Sequence, residues 1–319
     1  MHRYSKTIII TGGAGFIGSN YLNMMVLKYP EYHFINVDAL TYAANLKNIN
    51  VSDAPNYTFT QADIRDKRAL KGIFLRELPT HIINFAAESH VDNSIAGPEI
   101  FIETNVVGTH NLLSLAKEFD IKRFHQVSTD EVYGSLAPDA APSTETDHIL
   151  PNSPYSASKA AADLVVRSYN KTFGLDTTTT RASNNYGPNQ FPEKLIPLFI
   201  SKLLSGDKVP LYGEGLNVRD WIHVDDHVRG IDAAFHKGGS GEIYNLGGGN
   251  EITNVEITKT LIALAGRDES AIEHVTDRLG HDQRYALDSS KAKRELAWEP
   301  EKNFKTALEE TFAYYKDHK

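Results

Sequence analysis

Apolar and polar positions along the first half of the chain alternate between two periods. Short β-branched or apolar runs at Thr7 to Thr11, Phe34 to Val37, Tyr57 to Thr60, Ile82 to Phe85 and Arg123 to Ser128 read as strands. Between them, residues 16–28, 67–78, 99–117 and 155–172 carry spacing compatible with helices. Parallel strands need such crossovers, so the pattern predicts an α/β protein with a doubly wound parallel sheet. After about Arg181 the rhythm changes: 184–194 is rich in Asn and Pro, and later elements are less regular. Expected boundaries are a sheet domain over 1–182, rejoined by about 219–246, and a smaller C-terminal α/β substrate-binding domain in the remainder of 183–319. No internal repeat or low-complexity segment is visible.

Composition narrows the function classes. With 319 residues, 41% hydrophobic and 23% charged, the chain has material for a large core. It contains no long apolar run, so no membrane span is expected. The polar lead Met1 to Lys6 meets the apolar Thr7 to Thr11 without room for a secretory signal, which makes the cytoplasm the expected location. The absence of cysteine excludes disulfides, thiolate zinc sites and a cysteine nucleophile. A net charge of −8, without a basic run, argues against nucleic acid or an anionic membrane as partner. His223 and His227 have a spacing that could ligate a metal. No third ligand follows at suitable spacing, Asp225 or Asp226 makes an ordinary helix cap, and no metal is expected. The aromatics Trp221, Tyr244, Phe312 and Tyr315 read as packing.

The first chemical signal lies between the first strand and the first helix, in Gly12-Gly13-Ala14-Gly15-Phe16-Ile17-Gly18. Glycines let the backbone turn sharply and approach a pyrophosphate, whose charge then meets free amides at a helix N-terminus. Asp38 follows at the end of the second strand, about 20 residues after Gly18, where a carboxylate accepts from ribose hydroxyls. Such a carboxylate would repel a 2′-phosphate, and Ala39 supplies no compensating charge, so the expected cofactor is NAD on a Rossmann-type sheet. Asp63-Ile64, after the third strand, is placed to meet the adenine edge or to cap a helix.

A second signal is Tyr155-Ser156-Ala157-Ser158-Lys159, which puts Tyr155 and Lys159 on one helix face. The same spacing at Tyr315 and Lys319 belongs to an exposed helix. What separates the two is Ser128-Thr129-Asp130-Glu131-Val132-Tyr133-Gly134 at the end of the fifth strand, because strand ends are where open parallel sheets bind ligands. For Tyr155 to act as a base, its phenol must fall by about three units from roughly 10, about 4 kcal/mol. Burial opposes this, so Lys159 and an oxidised nicotinamide are expected to outweigh it.

With Ala86-Ala87-Glu88-Ser89-His90-Val91-Asp92, these motifs resemble the extended short-chain dehydrogenases/reductases over nearly the whole chain. Within them, Ser128 to Gly134, Asn184-Asn185-Tyr186-Gly187-Pro188, Phe191 to Pro197 and Arg219-Asp220-Trp221 resemble the dTDP-glucose 4,6-dehydratases; related epimerases and decarboxylases usually lack the Asp130-Glu131 pair. The resemblance implies a cofactor site of Gly12, Gly15, Phe16, Ile17, Gly18, Asp38, Thr41, Asp63, Ile64, Ala86, Ala87, Ser89, Thr104, Tyr155, Lys159 and Asn185. It implies substrate contacts from Ser89, His90, Thr129, Asn184, Lys194, Leu195, Pro210, Tyr212, Arg219, Asn254, Arg278 and His281. It also implies a homodimer formed through the helices near 99–117 and 155–172.

The activity implied is a lyase reaction of deoxysugar biosynthesis, dTDP-glucose to dTDP-4-keto-6-deoxyglucose. Tyr155, supported by Lys159 and Thr129, takes the C4 hydroxyl proton while NAD accepts the C4 hydride; Glu131 removes the C5 proton, protonated Asp130 assists departure of the C6 hydroxyl, and hydride returns to C6. Consecutive strand residues face opposite ways, so Asp130 and Glu131 meet one sugar only where the strand has ended in a turn. Departures from the pattern are Leu279 for a usual proline, Asn93 for arginine and Asn189-Gln190 for Tyr-His. The chain stops soon after Lys316, where longer relatives have a tail that reaches the substrate, and that contact is expected to be absent or replaced. A nucleotide-sugar 4-epimerase or decarboxylase, and a non-catalytic NAD-binding regulator, are the alternatives.

Overall fold

The computed structural model describes residues 4–277 and 280–318. Its strands are β1 (Lys6–Thr11), β2 (Tyr32–Asp38), β3 (Tyr57–Gln61), β4 (His81–Asn84), β5 (Arg123–Thr129), β6 (Thr177–Ala182), β7 (Asn184–Tyr186), β8 (Val209–Tyr212), β9 (Val218–His223), β10 (Glu242–Leu246), β11 (Glu251–Thr253) and β12 (Ile272–Val275). Seven of them form one sheet in the order β10-β6-β5-β4-β1-β2-β3. Every neighbouring pair in it is parallel. Strand order reverses between β1 and β4, and the carboxyl ends of these two strands border a crevice, the position where doubly wound sheets bind ligands.

Helices cover both faces, which is why the central strands read as continuous apolar runs. Ile8, Ile9, Ile10, Ile82 and Ile83 are all buried. Tyr21, Leu22 and Met25 of the helix Phe16–Lys28 pack on one face beside Val228 and Ile231 of the helix Val224–Lys237. Leu70 and Phe74 of Lys67–Glu77, with Leu112, Leu113 and Val166, pack on the other.

The helical pattern over 99–117 folds as one rod of changing pitch: an α-helical turn Glu99–Phe101, a π-helical stretch Ile102–Gly108 and an α-helix Thr109–Glu118. The wide stretch lies where Asn105 turns inward. Its side chain accepts from the Glu88 amide at 2.9 Å and donates to Glu88 O at 3.0 Å and Ser158 Oγ at 2.8 Å, tying a strand-end loop to the helix Pro154–Phe173. Such π-helical turns often accompany functional sites.

Two small sheets, β11-β9-β7 and β12-β8, sit beyond the carboxyl ends. A separate core of Tyr186, Ile196, Phe199, Ile257, Leu261 and Leu308 lies beneath them. Within 219–246, the helix Val224–Lys237 and β10 join the large sheet, whereas β9 pairs with β7 and β11. Trp221, Phe312 and Tyr315 pack in the second core and Tyr244 in the first. Among the described residues no helix is long and apolar enough to cross a membrane.

Candidate active site

The chain turns out of β1 at Gly12, whose φ of +70° is left-handed. A Cβ there would lie 2.7 Å from Ala86 Cα, and one on Gly18 would lie 2.4 Å from Gly12 O. Side-chain-free positions are therefore required twice, for the turn and for the approach of the helix. Gly15 is the N-cap of Phe16–Lys28, and no side chain caps it among the described residues. The positive end of that helix faces a cavity lined by Gly12, Gly15, Phe16, Ile17 and Gly18.

Thr41, Asp63, Ile64, Ala86, Ala87, Ser89, Thr104 and Asn185 line the same cavity. Asp38 also faces it from the end of β2, its carboxylate accepting from Ala14 N at 2.9 Å and Leu40 N at 2.8 Å. Burial raises its pKa against those two hydrogen bonds. Asp63 is not the helix cap; Asp66 is, accepting from Arg68 N and Ala69 N. Asp63 instead pairs with Arg65 at 2.6 Å, and this hydrogen-bonded guanidinium holds its carboxyl below the usual range.

The cradle fits a dinucleotide. Gly12 and Gly18 stand where a Cβ would collide, the helix N-terminus is uncapped, and three buried atoms in its wall, Ser128 Oγ, Asp130 Oδ2 and His227 Nε2, lack a hydrogen-bond partner among the described residues.

The chemistry-bearing groups converge at the far end of this cavity. β5 ends at Thr129, and Asp130–Tyr133 form a 3₁₀ turn capped by the Thr129 hydroxyl, which accepts from Glu131 N at 3.2 Å. Strand alternation stops there, so Asp130 and Glu131 both line the cavity with Thr129. Burial, then the charge of Glu131, push the Asp130 carboxyl well above its ordinary pKa. Tyr155 stands in the first turn of Pro154–Phe173, behind a capping box between Ser153 and Ser156, and lines the same cavity as Thr129.

The expected lowering of the Tyr155 phenol is not produced by the protein's own groups. Burial, followed by the charge of Glu131, drives it up, and Asp130 and Asp163 add to the rise. The reason is visible at Lys159. Its ammonium donates to Val127 O at 2.8 Å, and burial lowers its own pKa to about 8.

A second cavity adjoins the first and shares Ser89, Glu131, Asn184, Asn185 and Lys194 with it. Lys194 Nζ donates to Ser89 O at 2.8 Å where the two meet. His90, Leu195, Pro210, Tyr212, Arg219, Asn254 and His281 complete the expected lining. Arg219 donates to Val218 O at 2.8 Å and Asp282 O at 2.9 Å, with its guanidinium 4.5 Å from the Tyr285 ring centre. His281 Nδ1 lies 2.6 Å from Asp277 Oδ1. Arg278 and Leu279 lie outside the described residues.

Several lining residues had no role in the sequence reading: Glu88, Gln190, Glu193, Trp221, Tyr285 and His227. Glu193 belongs to a quoted motif, so its position next to Lys194 was a usable signal. Trp221 reads as core, yet its indole Nε1 is buried at the second cavity without a partner among the described residues, as is Asn254 Oδ1. His223, rather than Asp225 or Asp226, caps the helix Val224–Lys237, accepting from Asp225 N at 3.2 Å. His227 Nδ1 bonds Asn185 Oδ1 at 2.8 Å, and burial lowers this imidazole's pKa to about 3. Because Asn185 Oδ1 only accepts, Nδ1 carries the proton and Nε2 is left with a lone pair. Among the described residues no group of three or more His, Asp or Glu is placed to hold a metal ion.

Residues 9–311 match the family model described as GDP-mannose 4,6 dehydratase. The chain belongs to this family. It is 48% identical to the low-salt glycan biosynthesis protein Agl12 of Haloferax volcanii, over 97% of this chain and 98% of that protein. It is 46% identical to the dTDP-glucose 4,6-dehydratase of an Actinoplanes species, over 97% of each. Among solved structures, it is similar to DesIV, a dTDP-glucose 4,6-dehydratase from Streptomyces venezuelae with NAD and TYD bound. The TM-score is 0.93 and the identity 49%, over 98% of this chain and 97% of that one.

Proposed function

We propose that this protein is an NAD-dependent dTDP-glucose 4,6-dehydratase that forms dTDP-4-keto-6-deoxyglucose. The observation that carries the reading is the turn at Asp130–Tyr133, which brings a buried carboxyl with a raised pKa and a second carboxylate to the wall that holds Tyr155 and Thr129. A sugar oxidised at C4 has an acidic C5 proton, and loss of the C6 hydroxyl then needs one base and one acid together. Glu131 is assigned as the base and Asp130 as the acid, the division that unequal environments impose on adjacent carboxyls.

Tyr155 and Thr129 line the same cavity wall and are assigned to the C4 oxygen, Tyr155 taking its proton. Lys159 supplies positive charge one helical turn away. Gly12, Gly15 and Gly18 with the Phe16–Lys28 N-terminus are assigned to the pyrophosphate of NAD, and Asp38 to its adenosine ribose. When bound, NAD supplies a positively charged hydride acceptor that is regenerated when the hydride returns. The second cavity is assigned to the nucleotide of the substrate, with Arg219 fixed by backbone carbonyls so that its charge is preorganised. The similarity to DesIV, described with TYD bound, supports that assignment.

The rod over 99–118 packs against Pro154–Phe173 and leaves Ile102, Val107 and Leu164 exposed, which supports a homodimer through these helices. The reading also assigns the protein to the cytoplasm. The test is incubation with catalytic NAD and dTDP-glucose, with UDP-, GDP- and CDP-glucose in parallel, followed by mass spectrometry. Loss of one water from dTDP-glucose alone is the expected result; unchanged mass with inverted C4 would establish an epimerase instead.

A further inference from the structure

Tyr155, Lys159 and Asp163 recur every fourth residue of the helix Pro154–Phe173, and all three are buried. Residues at that spacing share a face, about 6 Å apart along the axis. Asp163 is answered from β6 by Arg181, whose Nε donates to Asp163 Oδ2 at 2.9 Å. Both side chains are only 2% exposed, which makes this a desolvated ion pair rather than a surface contact. The Arg181 guanidinium lies 4.8 Å from the Tyr133 ring centre, and Tyr133 Oη donates to Asn245 Oδ1 at 2.8 Å, so the arginine is held in place.

One atom of the pair is not used by it. Asp163 Oδ1 is buried and has no hydrogen-bond partner among the described residues. A bare carboxylate oxygen in a dry interior is costly unless a positive charge compensates it. Arg181 is one such charge, and Lys159, one turn toward the cavity, is the other.

We propose that Asp163 is a positioning residue for the reaction: with Arg181 as its counter-ion, its carboxylate keeps the Lys159 ammonium charged at the end of the cofactor cavity. This rests on the reading of Lys159 as part of the chemistry. Arg181 has a definite part in the arrangement. An unpaired carboxylate on this face would oppose a phenolate at Tyr155, two turns and about 12 Å away. Arg181 offsets that long-range field, while Lys159 stands one helical turn from the acid on the same face. Burial lowers the Lys159 pKa and Asp163 is the charge that raises it, in agreement with the geometry.

The other ionisable groups around Lys159 are Tyr155 on its own helix, Asp130 and Glu131 after β5, Arg181 and Tyr133 beneath, and Glu88 and His227 in the cavity wall. None of them is altered in the variants that test the pair, apart from Arg181 itself. The full chain, saturated with NAD and carrying ¹³C-labelled lysine, is titrated by NMR, with the Lys159 resonance assigned by its loss in Lys159→Met. In Asp163→Asn the Lys159 midpoint falls by about 1 to 2 units. It falls likewise in Asp163→Asn/Arg181→Met, which removes both buried charges and keeps the test available where the single variant folds poorly. Asp163→Glu restores the midpoint. The alkaline limb of the water-loss rate moves with it.

A midpoint that stays at the wild-type value in both Asn variants, with only thermal stability lowered, would overturn the proposal. The titration reads the ion pair without turnover. A wild-type protein that releases no water therefore counts against the dehydratase reading alone.

Discussion

The Thr129 hydroxyl accepts from the Glu131 amide at 3.2 Å, and with this contact the chain leaves β5 for a 3₁₀ turn. Two adjacent carboxyls that a continuing strand would point to opposite faces instead line one cavity. Thr129 therefore shapes the site with the same oxygen that its assigned role turns toward substrate.

Asp130→Asn/Glu131→Gln removes the assigned acid and base without changing size. Water loss measured by mass spectrometry should fall by about 10² to 10⁴. The optical signal of cofactor reduction on mixing with substrate should persist, because Tyr155 and Thr129 remain. Loss of both signals together would place the pair in the oxidation step instead.

Asp130 also has a stability signature. Its folded pKa is raised by burial and then by Glu131, so the folded protein holds a proton that the unfolded chain releases. The group's contribution is fully present below the usual carboxylate pKa and is lost as pH rises through the raised one. Asp130→Asn, which mimics the neutral acid, should unfold at a higher urea concentration than wild type at pH 8, by on the order of 1 to 3 kcal/mol. In acid the two curves should converge.

Gly12→Ala sets a Cβ 2.7 Å from the Ala86 backbone at a φ of +70°. It should cost about 1 to 3 kcal/mol in thermal unfolding. Gly18→Ala meets Gly12 O at 2.4 Å and pushes the helix N-terminus away from the turn. NAD affinity by calorimetry should fall at least about tenfold in both variants, since one tenfold step corresponds to about 1.4 kcal/mol.

Asn105 makes three hydrogen bonds, one buried and two part-buried, between the loop at Glu88 and the helix that carries Tyr155. Asn105→Leu leaves Glu88 N and Glu88 O without that partner, and a loss of about 2 to 4 kcal/mol is expected in urea unfolding. Since Ser89 and Tyr155 both shift when the tie is released, KM should rise and kcat fall together; unchanged kinetics in a folded variant would show that the π-helical stretch serves only the fold.

The sheet and the cofactor cradle were legible in the sequence because both rest on local rules. Period-two and helical patterns fix strands and crossovers, and glycine at 12 and 18 is demanded by backbone geometry within one turn. Tyr155 and Lys159 were legible for the same reason, four residues apart on one helix. What the tertiary structure alone decided are relationships between distant segments: the pairing of β9 with β7 and β11 outside the large sheet, the joining of Lys194 to Ser89, the Trp221 indole at the second cavity, and the Asp163–Arg181 pair behind Lys159. Protonation belongs to this second class as well. Whether Asp130 is neutral or Tyr155 is driven up depends on burial and on charges brought from other strands, and no spacing in the chain encodes a dielectric.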